Sequence, residues 1–302
     1  MVFLEIKPSR RVSWFAKMSH LGFFRGMLSL AADLSEHPLT GDAWLLCGVL
    51  FLLGAAWDFA SRFEPLGFRP PQSGSAWIIR FGWVLLTALL ALQGLRRHEL
   101  PIGTGAELLL TIGWGLGAVA LFLDLTFEHR LPAWAIGLAV AACLFAAGWL
   151  GLDVRPIVAQ EKPLIGVHVG AAVLAYCVIG ALVLNSAAYL LQDRALARRK
   201  FGGIYSLLPA LVPLDRIGSQ LLGAAVWLLG LSLVIGAADW AQRVPALVGV
   251  PKLAAALVTW AWCLIILVRR RRGTLSGSAF AAAALGVAVP AAIAFWLSLP
   301  SR

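Results

Sequence analysis

From residue 43 onward the chain is a succession of apolar runs of about twenty residues, separated by short loops that hold most of the charges, prolines and turn glycines. A helix rising 1.5 Å per residue needs about 20 residues to cross a hydrocarbon core of roughly 30 Å. The runs predict eight spans, near 43–60, 77–95, 105–126, 132–152, 164–192, 217–238, 252–268 and 278–298. Inside lipid every backbone N–H and C=O must be paired within the protein, which favours helices. The Leu/Ala/Gly-rich runs also lack the two-residue alternation of a membrane barrel. The expected fold class is therefore all-α, a polytopic membrane helix bundle with about eight transmembrane helices. Pro65, Pro70, Pro71 and Gly74 supply turn chemistry between the first two spans. No internal repeat stands out.

Residues 1–42 read differently, as a basic and mixed N-terminal segment preceding a transmembrane domain over 43–302. Leu21, Phe24, Met27, Ala31 and Leu34 fall on one helical face, and Arg25, Ser29 and Asp33 on another. That pattern predicts a helix lying on the membrane surface. Translation starting at Met18 or Met27 is the alternative. No apolar core precedes a small-residue cleavage site, so the layout of a secretory signal is not expected here.

Composition sharpens the membrane assignment. The 302 residues are 60% hydrophobic and 13% charged, with a mean hydropathy of +0.84, whereas soluble domains carry about 25% charged residues. The net charge of +10 would suggest nucleic acid in a soluble chain. Here the charges sit between apolar runs, so topology and anionic lipid account for them and no nucleic-acid partner is expected. Lys and Arg in the loops after spans one, three, five and seven number twelve, against seven in the alternate loops and C-terminal tail. Five more lie in the N-terminal segment, spread out, whereas Arg269–Arg272 form a dense block beside a span end. The asymmetry predicts that the first set is cytoplasmic and both termini are extracytoplasmic.

Within this topology His168 is the one histidine inside a span, about four residues and roughly 6 Å below the outer surface. An imidazole in lipid needs a partner, which makes it a functional candidate. Neutral imidazole is a good iron ligand; a helix–helix hydrogen bond is the competing structural reading. His98 shares the outer side, in the loop RRHELPIGTGAE, as either a solvated loop residue or a ligand. Glu107 after it suits a helix N-terminus, where the dipole favours a carboxylate. Asp58 and Arg80 near the inner ends of spans one and two read as an ion pair, or as a snorkelling arginine. Asp124 and Asp239 lie near span ends, and Asn185 is suited to bonding a neighbouring helix.

Cys47, Cys143, Cys177 and Cys263 lie in four different runs without a C-x-x-C, so they read as small buried residues. Many of the 13 tryptophans sit at span ends, as an aromatic belt requires. Trp240, Trp260 and Trp262 flank the last outer loop, as anchors or as a platform for a flat apolar ligand. P-loop, dinucleotide and nucleophile-elbow motifs are missing, and no catalytic residues are assigned.

Three stretches taken in order resemble the cytochrome c assembly protein family, polytopic haem-handling proteins that include membrane components of cytochrome c synthetase systems. HVGAAVLAYCVIGALVLNSAAYLLQDRALARRK is similar to the family's histidine-bearing span and following basic turn. LLPALVPLDRIGSQLLGAAVWLLGLSLVIGA resembles its proline and Leu-Asp-Arg lead into a glycine-rich span. RRHELPIGTGAELLLTIGW resembles its outer loop. The likeness is clearest over residues 95–270. It implies that a tryptophan-rich outer loop binds haem beside outer histidines, with His168 matching the first of them.

The family loop reads W-x-W-D-P-K-E, then a span with T-W; here it is DWAQRVPALVGVPKLAAALVTWAW. Trp240 stands for one loop tryptophan, Pro251 and Lys252 for P-K, and Thr259 and Trp260 for T-W. Val250 and Leu253 replace the aspartate and glutamate, and the second histidine is absent from VAVPAAIAFWLSLPSR. The resemblance thus implies haem as cofactor, with His168 as metal ligand and Trp240, Trp260 and His98 as further cofactor-binding candidates. It implies a multi-pass protein of a bacterial-type inner membrane, in contact with membrane lipid. Other cytochrome c assembly proteins and apocytochrome c are its expected partners. A non-catalytic haem-handling or synthetase-complex component is expected rather than an enzyme. A non-haem accessory or scaffold subunit and a small-solute or ion permease are the alternatives.

Overall fold

The computed structural model describes residues 41–63, 72–97, 102, 104–126, 132–151, 163–199, 207–240 and 250–298. The expected surface helix within 1–42 and His98 lie outside the described residues, apart from the start of the first helix. Among the described residues the regular structure is entirely α-helical. In chain order the helices are α1 (Gly41–Arg62), α2 (Gln72–Arg97), α3 (Gly105–Thr126), α4 (Ala133–Leu150), α5 (Pro163–Ala197), α6 (Leu211–Trp240), α7 (Val250–Arg271), α8 (Gly277–Leu285) and α9 (Ala288–Ser298). Among the described residues eight spans are long and apolar enough to cross a membrane, the last formed by α8 and α9 together. The expectation of an all-α, eight-span bundle holds.

The helices fall into two packed groups. In the first, α1 packs on α4 and α2, and α3 packs on α4. In the second, α5 runs along α6 and meets α8, while α7 packs on α9 and α6. The groups meet chiefly where α3 lies against α5. Phe51, Leu86, Leu110 and Leu144 are fully buried in the first group, and Leu182, Leu214 and Leu222 in the second. Lipid is as apolar as leucine, so close packing and interhelical hydrogen bonds must hold such helices together. At Gly137 of α4 an added Cβ would lie 3.1 Å from both the Phe51 carbonyl oxygen and the Ala55 Cβ, so this glycine sets how near α1 can come.

Tryptophans act as cross-braces. Trp83 of α2 and Trp114 of α3 stack with centroids 5.9 Å apart. Trp83 Nε1 donates to the Trp114 carbonyl at 3.1 Å, and Trp114 Nε1 donates to Thr87 Oγ1 at 2.9 Å. Trp134, at the start of α4, donates from its indole to the Leu207 carbonyl ahead of α6 at 3.3 Å, tying the two groups.

The last span is broken. Pro290 has no N–H to give the Gly286 carbonyl, four residues back. Val289 N–H reaches that carbonyl instead, at 3.4 Å, and Val287 N–H turns to Ala284 at 3.2 Å. The Ala283 carbonyl receives the Trp262 indole N–H from α7, at 3.4 Å. A kink that would strand a carbonyl in lipid is thus satisfied from the next helix. Between α7 and α8 the chain reverses at Gly273, whose φ of 71° is the left-handed conformation that favours glycine after a helix.

A histidine seated between two helices

His168 lies five residues after Pro163, in the second turn of α5. Its Nδ1 is 2.7 Å from the carbonyl oxygen of Ser232 on α6. A carbonyl can only accept, so Nδ1 carries the hydrogen and donates it. Ser232 Oγ lies 3.1 Å from the same nitrogen and donates its hydrogen to the His168 carbonyl, also at 3.1 Å. Serine and histidine thus bind each other's backbones, and the imidazole cannot swing without breaking the pair.

The ring needs room. A Cβ on Gly236 would stand 2.6 Å from His168 Cε1 and 2.9 Å from Nδ1. Only the absence of a side chain at 236 lets the imidazole lie against α6. In the neutral tautomer that donates from Nδ1 the lone pair sits on Nε2, and among the described residues no atom bonds Nε2. The residue is half-buried. A neutral imidazole whose Nδ1–H is held by a backbone carbonyl is the arrangement found behind most metal-ligating histidines. The site's chemistry therefore fits a metal at Nε2, haem iron included.

Positions 232, 236 and 240 follow one another at helical spacing and share a face of α6. The backbone of Trp240 thus falls one turn beyond Gly236, at the same end of the bundle as His168. Trp260 is placed differently. From α7 its indole donates to the Val226 carbonyl at 3.1 Å and lies against Gly230, where a Cβ would be 3.0 Å from Nε1. Gly230 precedes Gly236 by six residues, roughly 9 Å along the axis and on another face of α6. His168 and Trp260 therefore approach α6 from different sides. Trp262 faces the broken span, and Thr259 is buried, its hydroxyl given to the Ala255 carbonyl at 2.8 Å.

The other polar candidates sort by their partners. Glu107 accepts from Gln93 Nε2 at 2.9 Å and from Thr104 N–H at 3.3 Å, while its own N–H donates to Thr104 Oγ1 at 3.1 Å. That reciprocal capping box matches the dipole-favoured reading of this carboxylate. Asn185 Nδ2 donates to the Leu214 carbonyl at 2.8 Å, the interhelical bond expected of it.

Asp58 and Arg80 do not pair with each other. Asp58 takes Arg62 at 3.1 Å, and Arg80 takes Asp124 at 2.7 Å. Asp215 and Arg270 form a third ion pair, joining α6 to α7. The four cysteines are free thiols, three of them buried and Cys143 half-buried, as their scattered placement suggested. Ser232 and Gly236 were not singled out from the sequence, although a serine and a glycine four apart in an apolar run are a packing signal.

The fold defines a polytopic membrane protein, and the seat a fixed imidazole toward one end of the helix bundle. Residues 83–299 match the model of the cytochrome C assembly protein family, and the chain belongs to it. No curated protein matches the sequence.

Proposed function

We propose that this cytochrome c assembly protein binds haem and presents it at the extracytoplasmic face of a bacterial-type inner membrane during cytochrome c maturation. One observation carries the reading. The His168 Nδ1–H is fixed on the Ser232 carbonyl, which leaves Nε2 as a prepared axial ligand. Haem is cargo here; its iron supplies the coordination site, and its conjugated ring supplies a flat apolar face. Trp240 is the proposed cover for that face, since its helix position follows Gly236 by one turn. Trp260 is proposed to act on the other side of α6, bracing the helix that backs the histidine. His98 is proposed as a second ligand from the outer loop after α2. Other assembly proteins and apocytochrome c are the proposed recipients.

The test is purification of wild-type protein and His168→Gly from cells given excess haem, reading the haem absorption band. Wild type should carry the band, the variant should lose it, and added imidazole should restore it. Wild-type protein without haem under these conditions ends the proposal. The final span lacks a histidine, which favours a second reading, an accessory subunit that holds no haem. Maturation that continues with His168→Gly would select it.

A further inference from the structure

At the opposite end of the bundle from His168, the two ion pairs of the first helix group line one cavity of about 60 Å³. Asp58 and Arg62 come from α1, Ser75 and Arg80 from α2, Asp124 from α3 and Ala133 from the start of α4. That volume is about twice a water molecule's share of the liquid, enough for a group of a few heavy atoms.

The cavity offers spare donors on two guanidinium groups, beside the second carboxylate oxygen of Asp124, Oδ1. Asp58 is 2% exposed and saturated. Its two oxygens accept from Arg62 Nε at 3.2 and 3.1 Å, from Ser75 Oγ at 3.4 Å and from the Trp134 N–H at 3.0 Å. Arg62 spends only Nε on that contact, and Arg80 spends only Nη2 on Asp124. Among the described residues nothing bonds the other guanidinium nitrogens of either arginine. The first turn of α4 adds the positive end of a helix dipole beside Ala133. Two arginine forks with spare N–H groups over neutralised carboxylates suit a tetrahedral oxyanion, which accepts from several donors at once.

The depth of the cavity indicates which oxyanion. Arg80 is one-third exposed and lies 5.6 Å from the centroid of Trp77, itself on the surface. Trp57, beside Asp58, is exposed at the same level. Exposed indoles mark the headgroup layer of a bilayer.

We propose that this cavity is a phosphate-binding site, with Arg62 and Arg80 as donors and an anionic phospholipid headgroup as the natural source. The experiment uses the full chain in a neutral, lipid-free detergent, with bound molecules counted by native mass spectrometry. Phosphatidylglycerol, a diacylglycerol of the same chains and inorganic phosphate are the probes. Wild type should retain phosphatidylglycerol and not diacylglycerol.

Asp124→Asn frees Arg80 and should tighten retention. The charge-neutral pair Arg80→Gln with Asp124→Asn should weaken it by roughly tenfold. Arg62→Lys keeps the charge beside Asp58 but removes the fork, and should also weaken it. Loss of phosphatidylglycerol on adding inorganic phosphate makes the free ion sufficient; persistence makes the lipid the source. Equal retention of both lipids overturns the proposal. So does unchanged retention in Arg62→Lys together with the double variant.

Discussion

His168 and Ser232, sixty-four residues apart, are joined by two hydrogen bonds running in opposite directions, Nδ1–H to the serine carbonyl at 2.7 Å and serine Oγ–H to the histidine carbonyl at 3.1 Å. The first survives any side-chain change at 232, because its acceptor is backbone. Ser232→Ala should therefore cost about 1 kcal/mol of stability, the usual worth of one hydrogen bond, and leave the ring in place. A thermal melt and the haem band of the same sample check both halves. Complete loss of the band would show that the hydroxyl, and not the carbonyl, sets the imidazole.

Gly236→Ala attacks the same seat from the other side. The new Cβ would overlap His168 Cε1, and the helix cannot retreat without losing its packing on α5. Overpacking of this kind costs about 1–3 kcal/mol. The expected outcome is a protein that still inserts and purifies but holds haem more weakly than Ser232→Ala does. A Gly236→Ala protein with unaltered haem affinity would contradict the geometry.

Asp58 is the polar centre of the first group. It holds Arg62 within α1, Ser75 on α2 and the first turn of α4. Replacing it with alanine leaves Arg62 without its carboxylate and strips the cap from α4, at a cost of about 3–5 kcal/mol. Asp58→Ala should lower the melting temperature in detergent far more than Glu107→Gln, which keeps an acceptor oxygen for its capping box. Similar melts for the two variants would refute this ranking.

Pro290→Ala should repair the broken span. Alanine returns an N–H to the Gly286 carbonyl, and Val287 can again donate to Ala283. The Ala283 carbonyl, with two lone pairs, then serves Val287 as well as the Trp262 indole. Slower hydrogen exchange over 286–291 together with a shifted Trp262 indole resonance is the expected pair of changes. Unchanged exchange would mean that packing against α7, rather than the proline, bends the chain.

The spans were legible because lipid imposes one strong rule, and runs of the right length obey it. The predicted third span, 105–126, coincides with α3, and 132–152 overlaps all of α4. The end of α6 nearest its start was harder to place. Asp215 and Arg216 lower the local hydropathy, yet the helix begins at Leu211, since Pro213 is tolerated in a first turn and Asp215 is matched by Arg270. Polar residues could be flagged but not paired. Asp58 and Arg80 face one cavity, but each has a nearer partner, and the choice depends on helix rotation that no local pattern records. His168 could be singled out from its position within a span. Its partner could not be, because the serine–glycine spacing signals close packing without saying which helix will approach.

The contact between Asp58 and the Trp134 N–H also bears on how the chain is made. Asp58 lies on α1, while its last donor follows seventy-six residues later in the chain. Until then the carboxylate has Arg62 and Ser75 but not the backbone donor that completes its set. The fourth segment therefore closes a polar knot that the first two begin, and the three helices reach their final packing together.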